Sequence, residues 1–93
     1  MESIIQSEKV CYKTGSTYGL HRHHVYGGSY KTASEKYGLV IWLRYDWHIH
    51  TPYSIHHDKQ YREEVQREVQ LKAMEYYGWT EDDFRNLIGR SFL

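Results

Sequence analysis

All seven histidines of this 93-residue chain fall in one short stretch, between positions 21 and 57. Imidazole is a common metal ligand and the only unperturbed side chain that titrates near neutral pH. Because the groups of histidines are separated by strand-like segments and bracketed by turn residues, we expect the fold to bring them together at a metal or acid–base site. The three groups are His21, His23 and His24; His48 and His50; and His56 and His57.

The length of the chain predicts one domain with a thin core, and domains of this size often depend on a metal, a disulfide or a partner. Cys11 is the only cysteine, which excludes an internal disulfide and a cysteine-rich zinc knuckle. We expect residues 1–9 to form a flexible or loosely docked tail and residues 10–93 to form the domain. No segment resembles a signal peptide or a membrane span, so we expect a soluble protein of the cytoplasm.

Twelve basic and twelve acidic side chains leave no net charge, which argues against a strong non-specific grip on nucleic acid. A local basic patch in the first half of the chain remains compatible with DNA binding. The ten tyrosines and three tryptophans are better explained as large buried surfaces in a small core than as a platform for stacked bases.

Turn residues and side-chain alternation predict a two-stranded antiparallel ribbon. The first strand, over about residues 20–26, ends at a pair of glycines. Its alternation puts His21 and His23 on one face and His24 on the other. Leu39–Leu43 is the second strand, because it is β-branched and aromatic and apolar on both faces.

Three helices are predicted around this ribbon. A capping-box spacing and a following glycine predict a short helix over about residues 32–38. From about His56 to Tyr77, apolar residues recur with the period of a long amphipathic helix. A second capping box, from Thr80 to Asp83, begins a C-terminal helix that ends at Gly89. The expected fold class is therefore α+β.

Six short motifs follow one another along residues 11–93, and their order and spacing resemble those of a family of small phage-encoded HNH-like nucleases. The resemblance implies the ββα-metal fold, in which a two-stranded ribbon and a long helix hold one metal site. The motifs are Cys11-x-x-Thr14-Gly15, Leu20-x-x-His23-His24-Val25-x-Gly27-Gly28, Ser34-Glu35-Lys36-Tyr37-Gly38-Leu39, Leu43-x-x-Asp46-x-His48, Ile55-His56-His57 and Phe84-x-x-x-x-Gly89-Arg90-Ser91-Phe92-Leu93.

The resemblance further implies one divalent ion, with magnesium, manganese, nickel and zinc not distinguished, and a histidine that acts as general base. By position, His23 is expected to be a ligand and His24 the base, with His48 and His56 or His57 as further ligands. The assignment within each pair stays open. Hydrolysis of a phosphodiester needs a deprotonated water, a base with a pKa near neutrality and a cation that neutralises developing charge.

The chain departs from the family pattern where members carry two cysteine pairs that bind a structural zinc. Only Cys11 remains, and Thr14, Arg44 and Trp47 stand at the other positions. One soft ligand is too few for such a site, so we expect no structural zinc. Trp47 and neighbouring aromatic residues are expected to fill the space by packing.

A second departure concerns the asparagine that gives the family its middle letter, because Ile49 follows His48 here. Ser54 or Asp58 are candidate substitutes. Asp58 is explained more simply as an acid favoured by the dipole at the start of the long helix than as a metal ligand.

Two arginines close to the histidines, Arg22 and Arg44, are candidate ligands of a phosphate, although a solvated surface position is the more ordinary role of each.

The sequence is compatible with three functions. The leading one is a phage or prophage HNH-like, metal-dependent DNA endonuclease, whose partner is DNA. The alternative is a catalytically inactive binding module that contacts a protein, such as a phage inhibitor of a host defence complex of the anti-CRISPR type. A third is an accessory protein that binds branched DNA without cutting it. No membrane partner is expected, and a homodimer stays open because a thin core favours one.

Overall fold

Two short strands form an antiparallel ribbon in the computed structural model, which describes residues 1–93. They are β1 (Leu20–His24) and β2 (Val40–Arg44), and His23 lies opposite Ile41. Both strands form where alternation and β-branched side chains predict them. β1 is two residues shorter than predicted, because the backbone bends after His24.

Four helices accompany the ribbon. The α+β class, with a short connecting helix, a long helix and a C-terminal helix, is confirmed. A single helical turn after β2 was not predicted, because four residues are too few to show the periodicity of a helix. The helices are α1 (Lys31–Tyr37), α2 (Tyr45–His48), α3 (Lys59–Tyr77) and α4 (Glu81–Ile88).

The helix ends follow the capping residues of the sequence. The Asp58 side chain accepts a hydrogen bond from the Tyr61 backbone amide at 3.2 Å, so α3 begins at Lys59 and not at the predicted His56. The interpretation of Asp58 as a residue of the helix terminus is confirmed. At α4, Thr80 and Asp83 form the predicted capping box.

One cluster of twelve buried side chains forms the core, which joins the ribbon to α3 and α4. Val65, Val69 and Ala73 line one face of α3 at intervals of four residues and are fully covered. Phe84 and Ile88 close the cluster from α4. Because burial of a valine, isoleucine or phenylalanine side chain stabilises by roughly 1.5 to 3 kcal/mol, this face anchors the helix to the ribbon.

Residues 1–9 contain no helix or strand but contact the rest of the chain. The Ile4 amide donates to the Gly38 carbonyl oxygen at 3.0 Å, and the Gln6 side-chain oxygen accepts from the Trp42 amide at 2.8 Å. The Ser3 hydroxyl donates to the Val40 carbonyl oxygen at 2.5 Å, and just after this segment the Tyr12 amide donates to the Trp42 carbonyl oxygen at 2.7 Å. This segment therefore lies along β2, and its flexibility stays a prediction.

Aromatic side chains pack in the region of Cys11 and Trp47. We call Cys11, Trp47, Tyr53 and Tyr61 the aromatic corner. The ring of Trp47 lies 4.7 Å from that of Tyr53 and 5.7 Å from that of Tyr61, measured between centroids. The buried Cys11 sulfur accepts a hydrogen bond from the Arg44 amide at 3.2 Å. None of the helices combines the length and apolar character that crossing a membrane requires.

Candidate metal centre

Three histidine rings from separate parts of the sequence meet beside the ribbon. We call His23, His48 and His56 the histidine triangle. One ring nitrogen of each lies within 4.8 Å of the corresponding nitrogens of the other two. Metal to nitrogen bonds are about 2.0 to 2.1 Å long, so a small adjustment of the side chains would let one ion bind all three imidazoles. Three of the predicted ligands are therefore close enough to hold a metal ion.

Local structure explains why these three rings converge. The alternation of β1 turns His23 to the buried face of the ribbon. His48 ends α2, one helical turn after β2. The Ile55 amide donates to the Trp47 carbonyl oxygen at 2.8 Å, which holds the next segment against α2 and brings His56 to within 4.8 Å of His48, ring centre to ring centre.

His23 is the most buried ring of the triangle, with 6% of its surface exposed. Its Nε2 atom is buried and has no hydrogen-bond partner. A buried polar nitrogen without a partner destabilises a fold by about 1 to 3 kcal/mol, so such atoms are rare in native proteins. A bound cation would supply the missing partner, which is the observation that best fits these residues to a metal.

The environment keeps the three rings neutral at neutral pH. Burial, and then the charges of His48 and His56, lower the pKa of His23 to about 3. Burial, and then His56, lower the pKa of His48 to about 4. Burial and the nearby Arg62 guanidinium also lower the pKa of His56. Neutral imidazole is the form that binds metal ions, so no proton has to be displaced for coordination.

A fourth histidine supports the triangle from outside. The Nδ1 atom of His21 lies 2.9 Å from Nδ1 of His48. This hydrogen bond occupies one nitrogen of His48, and its other nitrogen, Nε2, lies 3.2 Å from Nε2 of His56. Hydrogen bonds of this kind orient metal-binding rings, so His21 contributes to the orientation of His48.

His57 lies outside the triangle, although it was also a predicted ligand. Its Nδ1 atom lies 2.9 Å from the Ser54 hydroxyl oxygen, which itself donates to the Thr51 carbonyl oxygen at 2.8 Å. Because the Ser54 hydroxyl proton is engaged with Thr51, the Nδ1–H of His57 must donate to the Ser54 oxygen. The geometry therefore favours His56 over His57, and it gives Ser54 a role in the turn instead of in the metal site.

His24 lies on the other face of β1, as the alternation predicts. Its Nε2 atom is 2.8 Å from the Glu35 carboxylate, which also accepts hydrogen bonds from both terminal nitrogens of Arg22. Hydrogen bonds from Arg22 and then from His24 hold the pKa of Glu35 well below its usual value. His24 nevertheless lines the same pocket of about 470 Å³ as the three rings of the triangle.

Glu35 is a partner of His24 that the sequence analysis missed. The two residues are eleven positions apart and lie on different elements, β1 and α1. No periodic pattern connects them. The only available signal is that Glu35 lies in one of the motifs of the HNH-like resemblance.

The two predicted phosphate ligands are both paired with carboxylates. Arg22 is bound by Glu35. The Arg44 guanidinium donates two hydrogen bonds to the Asp46 carboxylate, of 2.6 and 2.9 Å, and Arg44 does not line the histidine pocket. A guanidinium that is already held in this way is a poorer ligand for a second anion.

No family model, curated protein or solved structure matches this chain. The resemblance to HNH-like nucleases stays a prediction from the sequence motifs.

Proposed function

We propose that this protein is an HNH-like, ββα-metal DNA endonuclease of phage or prophage origin that hydrolyses phosphodiesters with one divalent ion. One observation carries the proposal: three neutral imidazoles converge, and a fourth, held by a carboxylate, lines the same pocket. A protein that only contacts a partner has no need of such an arrangement.

The donor set restricts the metals that suit the site. His23, His48 and His56 offer three nitrogen atoms and no carboxylate oxygen. Imidazole suits zinc and nickel, whereas magnesium prefers oxygen ligands. A divalent ion bound there would supply positive charge to the phosphate and to the leaving oxygen.

His24 is the proposed general base, and Glu35 determines which of its nitrogens reacts. With Nε2–H donated to the carboxylate, Nδ1 is the nitrogen that is free to accept a proton. The negative charge of Glu35 then stabilises the imidazolium that forms. The water oxygen bonds to phosphorus, its proton passes to His24 Nδ1, the bond from phosphorus to the leaving oxygen breaks, and that oxygen takes a proton from solvent.

Nicking of supercoiled plasmid by the purified protein, with magnesium, manganese, nickel or zinc, tests the proposal. The expected result is metal-dependent conversion to open circles, slowed about 10² to 10⁴-fold by His24→Asn, because a positioned base contributes that much. His50→Asn is the matched control, since His50 is exposed and lies outside the triangle.

Failure to nick with all four metals, by protein that circular dichroism shows to be folded, would contradict the nuclease proposal. It would favour the binding module instead. An equal rate for His24→Asn and His50→Asn would remove His24 as the base.

A further inference from the structure

The histidine pocket has cationic but no acidic walls. Its charged lining residues are Arg22, Lys31 and Arg62, and no aspartate or glutamate lines it. The chain as a whole has as many acidic as basic side chains. The positive charge is therefore concentrated locally, which makes the pocket attractive to an anion.

The three cations are not equivalent. Arg22 is bound by Glu35, whereas neither Lys31 nor Arg62 has a carboxylate within 4.0 Å. Lys31 makes no side-chain hydrogen bond and is exposed. Two positive charges at this pocket are thus uncompensated.

Arg62 is held in place without losing its charge. One terminal nitrogen of its guanidinium donates to the carbonyl oxygens of Ile55 and His56, at 3.2 and 3.3 Å. Both acceptors are neutral, and the other terminal nitrogen makes no hydrogen bond within the protein. A fixed guanidinium with free donors is well suited to a phosphate oxygen.

The two cations reach the pocket from different elements. Lys31 begins α1, three residues after Gly28, and Arg62 lies in the first turn of α3. Gly27 and Gly28 also line this pocket, and a Cβ added at either would meet no atom within 4 Å.

From these observations we propose that Lys31 and Arg62 form a phosphate-binding pair, which holds a backbone phosphate of DNA beside the histidine triangle. The choice of DNA as the source of the phosphate rests on the proposed nuclease function. The pair replaces Arg22 and Arg44 as the phosphate ligands.

Binding of a fluorescein-labelled DNA duplex in EDTA, followed by fluorescence anisotropy, tests the pair without cleavage. Lys31→Gln and Arg62→Gln should each weaken binding by about tenfold, as expected for a lost hydrogen bond to a charged group. Each should also reduce the slope of log affinity against log salt by about one. The control is Arg67→Gln with Lys72→Gln, which removes two exposed charges of α3 that line no part of the pocket.

Equal weakening in the control and in the double variant Lys31→Gln with Arg62→Gln would overturn the pair, because only bulk charge would then matter. Binding by both pocket variants with wild-type affinity would also overturn it. Arg62 also donates to the His56 carbonyl oxygen, so the nickel affinity of Arg62→Gln is measured by calorimetry. Loss of both DNA binding and nickel binding in this variant would show that Arg62 acts by positioning His56, and would overturn its role as a phosphate ligand.

The pair and the nuclease activity can fail separately. Weakened DNA binding in the pocket variants, with no nicking by the wild type, would support the pair and contradict the nuclease. Nicking by the wild type, with unchanged binding by the variants, would support the nuclease and overturn the pair.

Discussion

The histidine triangle and the aromatic corner each contain one buried polar atom without a partner. In the triangle this atom is Nε2 of His23, and in the corner it is the hydroxyl oxygen of Tyr61. The His23 ring lies 5.2 Å from the rings of His48 and His56, which offer nitrogen atoms that could ligate a metal ion. The Tyr61 ring has Trp47 and the Lys13 ammonium as neighbours. A bound cation could supply the missing partner of His23, whereas no cluster of metal-ligating groups lies near the Tyr61 hydroxyl.

This difference shows that an unpaired buried atom indicates function only through its surroundings. The orphan atom of the triangle has several metal-ligating atoms around it, so a single cation would satisfy it and bind its neighbours as well. The orphan atom of the corner follows from packing. The Tyr61 ring is buried for its apolar surface, and its hydroxyl group is buried with it. We therefore expect changes in the triangle to alter metal affinity, and changes in the corner to alter stability alone.

The largest effect is expected when the triangle loses its buried ring. His23→Leu should lower the affinity for nickel or zinc by about 10²-fold or more, because one of three ligands is gone. The metal-free protein should be slightly more stable, since an unpaired buried nitrogen is replaced by a methyl group. Calorimetric titration and urea unfolding of the same sample measure both quantities. A metal affinity equal to that of the wild type would exclude His23 as a ligand.

The aromatic corner is expected to carry stability. Trp47→Ala should reduce the free energy of unfolding by about 3 kcal/mol, because it removes a large ring that packs on Tyr53 and Tyr61. Urea unfolding measures this loss, and Tyr45→Ala, which removes an exposed ring, is the control. Losses of similar size in the two variants would show that the corner is not a structural support.

The triangle should also make the metal-free protein sensitive to acid. The folded-state pKa of His23 is about 3 and that of His48 about 4, and both lie below the unfolded value near 6.5. The unfolded chain therefore binds more protons as the pH falls from about 6.5, and stability is lost until the pH nears 3. We expect a loss of about 3 kcal/mol between pH 7 and pH 4 by urea unfolding, because the lowered pKa of His23 alone accounts for about that much. His23→Leu should lose clearly less over the same range, and an equal loss would place the acid sensitivity elsewhere.

The smallest effect is expected at the other orphan atom. Tyr61→Phe removes the unpaired hydroxyl group and should stabilise the protein by about 1 kcal/mol, with no change in metal affinity. Thermal unfolding measures the gain. A destabilised variant would reveal that the hydroxyl group has a partner in solution, such as a bound water.

The sequence predicted the parts of the site that depend on local periodicity. The alternation of a strand separates His23 from His24, and the turn signals and capping residues define the ribbon and the long helix. The sequence predicted the histidines of the triangle as candidate ligands, but it did not distinguish His56 from His57. It depends on a hydrogen bond between Trp47 and Ile55, which no spacing encodes.

Contacts between elements that are distant in the sequence could not be predicted from local periodicity. The pairing of Glu35 with His24 depends on how α1 docks beside β1, and the engagement of Arg22 and Arg44 depends on side-chain conformations. Arg62 lay unnoticed within the polar face of a long helix, where charged residues are ordinarily solvated. The docking of residues 1–9 on β2 is likewise a tertiary contact.

The position of residues 1–9 along β2 has a consequence for colloidal behaviour. A two-stranded sheet has two outer edges, and unpaired peptide groups on an edge invite strands of other molecules to add to it. Gln6 and Tyr12 satisfy the amide and carbonyl groups of Trp42 on one of these edges. Gln6 and Tyr12 thus cover part of this edge and leave fewer free peptide groups with which a strand of another molecule could pair.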